Sequence, residues 1–220
     1  MDWQAVRVTL QLALSTTAIL FVVGVPLAAL LNSTRTRFRF VFEALVALPL
    51  VLPPTVLGFY LLWATGPRSV VGGAYRSLTG TTLPFSFGGV LLASVLFNLP
   101  FAIRPFVAAI GAVDRKLIEA AWCLGVSRME TFRRITLPLA WRGILAGIVL
   151  TFAHAMGEFG VVLMVGGNIP GVTRTLSIAI YDDVQALNYQ QAGTTALVML
   201  VFSFLVLCVV QALWRNGEPA

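Results

Sequence analysis

The stretch that decides the fold runs from Asp114 to Pro138 and reads DRKLIEAAWCLGVSRMETFRRITLP. It is the one long charged segment in a chain of 220 residues, of which 58% are hydrophobic and only 11% are charged. A soluble domain of this size needs about a quarter charged residues to cover its surface. The composition therefore predicts an all-α polytopic membrane protein with one polar segment held outside the bilayer.

The apolar runs on either side of this segment predict five spans within a single transmembrane domain covering residues 1–220. We expect the spans at about 6–31, 41–64, 88–113, 137–165 and 192–214. The first run is too long for a signal peptide and follows no basic segment, which favours an uncleaved span over a cleaved leader. Residues 176–187 predict a re-entrant or interfacial helix, because the segment is too short and too polar to span.

The basic residues predict which side of the membrane the charged segment occupies. Ten of them share its side, and four lie on the other, so the positive-inside rule places the segment in the cytoplasm. The N-terminus is then outside, the C-terminus is cytoplasmic, and the net charge of +6 needs no nucleic acid to explain it. The cytoplasmic set is Arg35, Arg37, Arg39, Arg115, Lys116, Arg128, Arg133, Arg134, Arg142 and Arg215.

The first half of the charged segment predicts a short capped helix. Asp114 can cap a helix that begins at Arg115, and Gly125 can end it in the left-handed conformation. Apolar side chains recur at i, i+3, i+4 and i+7 and predict one stripe along this helix. The stripe comprises Leu117, Ala120, Ala121 and Leu124.

The second half predicts another short helix after a sharp bend. Ser127 and Glu130 have the spacing of a capping box, and we expect the fourth span to start at Thr136 and Pro138. Two interpretations of the helix pair stay open on physical grounds. It is either a docking surface for a partner or an amphipathic connection lying on the lipid headgroups.

Three prolines in residues 49–54 predict a broken helix within the second span. Each proline lacks an amide donor and clashes with the preceding turn. Irregular backbone at membrane depth persists only when it is buried in protein or lines a cavity. Pro53, Pro54 and Thr55 are therefore candidates for a translocation path, and a kinked packing helix is the alternative.

The third and fourth runs contain polar residues that are candidates for function. Asn98 and Arg104 are candidates for the path, although Arg104 has the alternatives of pairing with Glu158 or snorkelling to the interface. Glu158 is expected to have a structural role. His154 and Glu158 have the i, i+4 spacing of two zinc ligands. Because the chain has one histidine, we expect no metal site and disfavour an intramembrane metalloenzyme.

The charged segment contains the pattern EAA-x3-G-x9-I-x-LP over residues 119–138. This pattern resembles the EAA loop of the permeases of ABC importers, which docks on a cytoplasmic ATPase. The resemblance assigns Glu119, Ala120, Ala121 and Gly125 to the docking element and Pro138 to the return into the membrane.

Three further segments, 48–58, 157–160 and 168–175, resemble those of molybdate permeases, with sulfate and thiosulfate permeases as close relatives. The resemblance implies a type I (MetI-like) helical bundle in the bacterial inner membrane that works by alternating access. It implies a homodimer, two ATPases that carry ATP and magnesium, and an external oxyanion-binding protein. It implies neither a cofactor nor catalysis on this chain. The motifs favour molybdate over sulfate and do not separate molybdate from tungstate.

Overall fold

The computed structural model describes residues 2–33 and 39–215, and this part of the chain is helical and contains no strand. The predicted cytoplasmic residues Arg35 and Arg37 lie outside the described residues. A π-helical segment, Phe132–Thr136, joins α7 to α8. The α-helices are α1 Trp3–Ser33, α2 Arg39–Val51, α3 Pro54–Thr65, α4 Val70–Thr79, α5 Phe87–Gly111, α6 Arg115–Cys123, α7 Arg128–Thr131, α8 Leu137–Met156, α9 Gly160–Gly166, α10 Leu176–Gln185 and α11 Tyr189–Arg215.

Four helical segments in the described chain are long and apolar enough to cross a bilayer: Trp3–Asn32, Phe87–Gly111, Arg128–Met156 and Tyr189–Ala212. Helices α2 and α3 add a fifth crossing if they count as one span, although they bend by 109° at the break between them. The ten residues of α10 are too few to span, because a crossing needs about 20. The chain is therefore an all-α polytopic membrane protein, as predicted.

The central core is formed by α1, α5 and α8, which approach closely around Phe106. This side chain is 1% exposed and lies between Gly24 of α1 and Gly147 of α8. A Cβ atom at Gly24 would come within 3.1 Å of the phenyl ring, and one at Gly147 within 2.9 Å. Small residues thus let the three helices pack tightly where lipid supplies no hydrophobic driving force.

A second cluster places α9 between α3 and α5. The buried side chains of α9 are Val161, Val162 and Val165. A Cβ atom at Gly58 of α3 would lie 2.6 Å from Cβ of Met164, and one at Gly160 would lie 2.8 Å from Cβ of Pro54. Helices α3 and α9 therefore lie against each other, each starting at a break in a longer apolar run.

The predicted short helix at 176–187 is α10, and it is fastened to the N-terminal end of α1. The backbone N–H of Leu176 donates to Thr9 Oγ1 at 2.8 Å. Arg174 pairs with Asp182 of α10 at 3.1 Å and with Asp2 at 3.7 Å. These contacts hold the connection from α9 to α10 rigidly at this end of the bundle.

The fourth span differs from the prediction at its C-terminal end. Helix α8 begins at Leu137 with Thr136 as its N-cap, and it continues without a break from α7, so that one helical segment runs from Arg128 to Met156. The π-helical turn accommodates Pro138: the N–H of Leu137 donates to Phe132 O, five residues back, which widens the turn before the proline ring. The span does not continue to residue 165, because α8 ends at Met156 and α9 is separate.

Candidate functional site

The charged segment folds as the predicted pair of capped helices. Helix α6 begins at Arg115, and Asp114 Oδ1 accepts a hydrogen bond from Lys116 N at 2.9 Å. This bond satisfies one of the amides that have no acceptor within the first turn. Arg115 and Glu119 also form an exposed i, i+4 ion pair at 3.1 Å. The start of this helix is thus specified by residues four or fewer apart.

Gly125 ends α6 in the left-handed region, with φ +81°. The N–H of Gly125 donates to Trp122 O and that of Val126 donates to Ala121 O, both at 3.0 Å. Together these bonds form a Schellman motif, which confirms the predicted helix end. The guanidinium of Arg128 lies 5.4 Å from the centre of the Trp122 ring and links the two helices across the turn.

The capping box after the turn is confirmed in one half. Ser127 Oγ accepts from Glu130 N at 3.3 Å, as expected for an N-cap. The carboxylate of Glu130 pairs with Arg134 at 3.1 Å instead of returning to the N-cap amide. Glu130 pairs with Arg134 because that side chain is one helical turn away and positively charged, whereas the N-cap amide is neutral.

The outer face of the helix pair exposes apolar side chains to solvent. Leu117 is 49% exposed, Leu124 is 84% exposed and Met129 is 68% exposed. Ala120 and Glu119 share this exposure, but Ala121 is 6% exposed and packs inside the chain. The predicted stripe is therefore divided: Ala121 supports the fold, and the remaining side chains lie uncovered.

The first break in the membrane-spanning region is the predicted proline break. Helix α2 ends at Val51, Pro53 is extended with φ −54° and ψ 136°, and Pro54 is the first residue of α3. Pro53, Pro54 and Thr55 are exposed. Pro53 O accepts hydrogen bonds from Val56 N at 2.9 Å and from Leu57 N at 3.2 Å. The two prolines have no N–H to donate to the carbonyls one turn earlier in α2, and lipid offers those carbonyls no hydrogen-bond partner.

A second break, at Gly157–Phe159, was not predicted. Gly157 is exposed, and Phe159 leaves helical geometry with φ −127° and ψ −62°. The contact between Gly160 and Pro54 places this break beside the first one. Two glycines around Glu158 were the available signal, since each costs about 1 kcal/mol in a helix relative to alanine.

A buried polar network joins the second break to α5. Glu158 is 4% exposed, and its Oε2 accepts hydrogen bonds from Ser94 Oγ at 2.7 Å and from Asn98 Nδ2 at 2.9 Å. Asn98 Oδ1 lies 2.8 Å from Nδ1 of His154. The imidazole also stacks on Phe101, with ring centres 3.6 Å apart. The network therefore connects His154, near the end of α8, through Asn98 of α5 to Glu158 at the break.

Several predicted intramembrane contacts differ from the observed ones. Arg104 is exposed and does not pair with Glu158. Asn98 is fully buried and points into the network. His154 and Glu158 do not share a helix face, because α8 ends between them at Met156. Within residues 2–33 and 39–215, no three His, Cys, Asp or Glu side chains are grouped to hold a metal ion.

Comparison with known proteins gives matches along nearly the whole chain. Residues 20–216 match the family model of the binding-protein-dependent transport system inner membrane component. The chain is 48% identical over 206 residues to the molybdenum transport system permease protein ModB of Azotobacter vinelandii, covering 94% of this chain and 91% of the relative. It is 36% identical to ModB of Escherichia coli strain K12, with coverage of 97% and 93%.

Solved structures of ABC transporters share the fold. The MetNI methionine transporter in inward-facing conformations matches with a TM-score of 0.74 at 21% identity, covering 99% of this chain and 97% of that one. A bacterial alginate transporter matches with a TM-score of 0.77 at 18% identity, covering 97% and 78%. These matches confirm the MetI-like helical bundle.

The relatives that match over most of their length are permease subunits, the non-catalytic membrane components of transporters. The alternative of an intramembrane metalloenzyme is therefore wrong. The EAA-type segment, the broken spans and the fold all occur in one chain whose family match extends over residues 20–216. This chain belongs to the family of binding-protein-dependent transport system inner membrane components.

Proposed function

We propose that this chain is the transmembrane permease subunit of an ATP-driven importer for molybdate. One observation carries the proposal. The charged segment is a capped helix pair with uncovered apolar side chains, in a chain 48% identical to a molybdenum permease. In this proposal ATP and magnesium bind to a partner ATPase, and this chain carries no cofactor.

The helix pair is the proposed docking element for the cytoplasmic ATPase. Glu119, Ala120 and Gly125 are exposed and available for contact, and Pro138 is exposed where the chain returns toward the membrane. Apolar side chains left in water are stabilised when a partner covers them. The helical segment Arg128–Met156 has 29 residues and is about 40 Å long at 1.5 Å per residue. Movement at the docking element is thereby carried to the second break.

The two breaks mark the proposed path for the anion. Pro53 and Gly157 lie at the two breaks, and Pro54 and Thr55 are the exposed first residues of α3. The contact between Gly160 and Pro54 places the two breaks beside each other within the membrane-spanning region. A single copy of the chain leaves this face uncovered, and lipid does not satisfy its backbone groups. A second copy of the chain that faces the first would cover this surface and enclose a water-filled path between the two copies. Alternating access requires such a path.

Arg104 is the proposed source of positive potential near this path. It is the exposed cation of α5, and charged groups at membrane depth are functional candidates by default. Asn98 lies behind the path surface, because it is fully buried in the network around Glu158. An anion that must leave again needs attraction without a tight site, which a single exposed cation provides.

The proposed orientation is that predicted from the charges, in the bacterial inner membrane with the charged segment in the cytoplasm. Among the described basic residues of that segment are Arg115, Lys116, Arg128, Arg133 and Arg134. The positive-inside rule favours this side. The N-terminus and the connection between α9 and α10 then face an external oxyanion-binding protein.

Molybdate is favoured over sulfate as the transported anion. The relatives named for molybdenum transport are 48% and 36% identical to this chain. A Chlorella vulgaris relative named as a sulfate transport system permease is 34% identical over 84% of this chain and 74% of its own length. Both anions are tetrahedral dianions, so the permease and its binding protein must separate them by size and hydrogen bonding.

The test is uptake by liposomes that contain the permease and its ATPase, with the binding protein added outside. We expect uptake of labelled molybdate that requires ATP hydrolysis and persists in excess sulfate. A non-hydrolysable ATP analogue is the control for energy coupling. Uptake of sulfate in preference to molybdate would establish the sulfate alternative, and absence of ATP-dependent uptake of either would refute the proposal.

A further inference from the structure

The position of the second break depends on side-chain bonds from Glu158. The backbone bonds at the break are few: Gly157 N donates to His154 O at 3.1 Å and lies 3.4 Å from Ala153 O, and Glu158 N lies 3.5 Å from Ala155 O. The carboxylate of Glu158 instead makes two short bonds to α5, through Ser94 and Asn98. These bonds fix where the exposed backbone of Gly157 lies relative to α5.

Stability alone does not account for a carboxyl group at this place. Glu158 Oε1 is buried and has no hydrogen-bond partner in the described part of the chain. A buried polar atom without a partner destabilises the folded state, and an apolar side chain of similar size avoids this cost. A residue that only filled space between α5 and the break would be served better by leucine.

We propose that Glu158 is a positioning residue of the transport cycle. Its hydrogen bonds to Ser94 and Asn98 hold the α8–α9 break so that Gly157 faces the path, and Asn98 extends the hold to the end of α8 through His154. When the helical segment from Arg128 to Met156 shifts during the cycle, the break moves with it as a unit and the exposure of Gly157 changes. Without these hydrogen bonds, the residues of the break would become disordered. This inference rests on the proposed transport function.

The positioning role depends on the ability of Glu158 to accept hydrogen bonds and does not require its negative charge. Both donors are neutral and both bond to one oxygen, Oε2. Glutamine at this position keeps an oxygen acceptor of the same reach, whereas leucine keeps only the approximate volume. The two variants Glu158→Gln and Glu158→Leu therefore separate hydrogen bonding from packing.

The first experiment measures the exposure of residue 157 in the complex with its ATPase. A Gly157→Cys reporter is placed in a chain with Cys123→Ser and Cys208→Ser, which removes both free thiols. A Cβ atom at 157 has no neighbour closer than 3.7 Å, so the reporter fits. The labelling rate with a membrane-impermeant thiol reagent is compared without nucleotide and with trapped ATP.

We expect the nucleotide-dependent change in labelling to persist with Glu158→Gln and to fall at least about fivefold with Glu158→Leu, the low end of typical coupling between sites. Thermal stability of Glu158→Leu should equal or exceed that of the parent. Ser94→Ala, which removes one donor and little volume, should give an intermediate loss. Thr151→Val is the matched control, because the buried Thr151 hydroxyl bonds only to Gly147 O within its own helix.

A second measurement, molybdate uptake with Gly157 in place, should follow the same order of variants. Full uptake and unchanged labelling with Glu158→Leu would overturn the positioning role, and loss of both with Glu158→Gln would overturn the hydrogen-bond basis. If the unsubstituted complex takes up no molybdate, the proposed function fails. The labelling comparison between the two variants still decides the positioning role in that case.

Discussion

Replacing Gly125 tests whether the turn of the charged segment must keep its observed shape. Gly125 has φ +81°, and a Cβ atom there would have no neighbour within 4 Å. A side chain therefore causes no clash with the rest of the chain, and the cost is conformational. An L-residue in this region costs roughly 1–2 kcal/mol, with β-branched residues at the upper end.

This cost lowers the population of the observed turn and so the affinity of the proposed docking element for the ATPase. If the ATPase binds the observed turn, its apparent affinity falls in proportion to the population of that turn. A cost of about 2 kcal/mol, the upper end that applies to a β-branched residue, corresponds to a limit of about thirtyfold. We expect Gly125→Val to approach this limit and Gly125→Asn to remain close to the parent, because asparagine tolerates the left-handed region. Gly125→Asp, compared with asparagine, isolates the effect of an added charge.

The assay titrates purified ATPase into nanodisc-embedded permease and measures both binding and substrate-stimulated ATP hydrolysis. Insertion is checked by the thermal unfolding of each variant, and we expect the free energy of unfolding to fall by no more than the conformational cost at residue 125. Equal affinity for the parent and Gly125→Val would refute the requirement for the turn. Equal losses with valine and asparagine would show that side-chain size, and not backbone conformation, is responsible.

Two further predictions address packing and docking. Gly58→Ala should lower the free energy of unfolding by roughly 1–3 kcal/mol, because the added Cβ atom would overlap Met164 of α9. The control is Gly193→Ala in α11, where a Cβ atom has no neighbour within 4 Å and the change should be neutral or stabilising. Equal melting temperatures for the two variants would contradict the α3–α9 contact. Glu119→Arg should abolish substrate-stimulated ATP hydrolysis. The loss of the exposed ion pair with Arg115 removes only about 0.5 kcal/mol from the helix, so unfolding of α6 would not explain that result. Retained hydrolysis would exclude Glu119 from docking.

Features that depend on neighbouring residues were predictable from the sequence. The cap at Asp114, the helix end at Gly125 and the cap at Ser127 each depend on bonds spanning five residues or fewer. The break at Pro53 was predictable for a similar reason, since proline lacks the amide that a helix needs. Most of the structure of the charged segment, the proposed docking element, therefore follows from local chemistry.

The end of α8 was not predictable in this way. Nothing within residues 153–160 forbids a helix, and a glycine adds a penalty of only about 1 kcal/mol, which packing routinely outweighs. The break forms where Glu158 bonds to α5 and Gly160 contacts Pro54, in segments about 60 and 100 residues earlier in the chain. Such contacts are tertiary, so the two glycines around Glu158 indicated a weak point in the helix but not the contacts that break it.

The partner of Glu158 shows why charge alone misled the sequence interpretation. Arg104 was the available intramembrane cation, but the position of a residue around its helix decides what it can reach. Ser94 and Asn98 are four residues apart and lie on one face of α5. Arg104 follows Asn98 by six residues, so the two side chains are about 120° apart around the helix and about 9 Å apart along it. Glu158 therefore bonds to the neutral face that it meets, and Arg104 stays exposed for the proposed path.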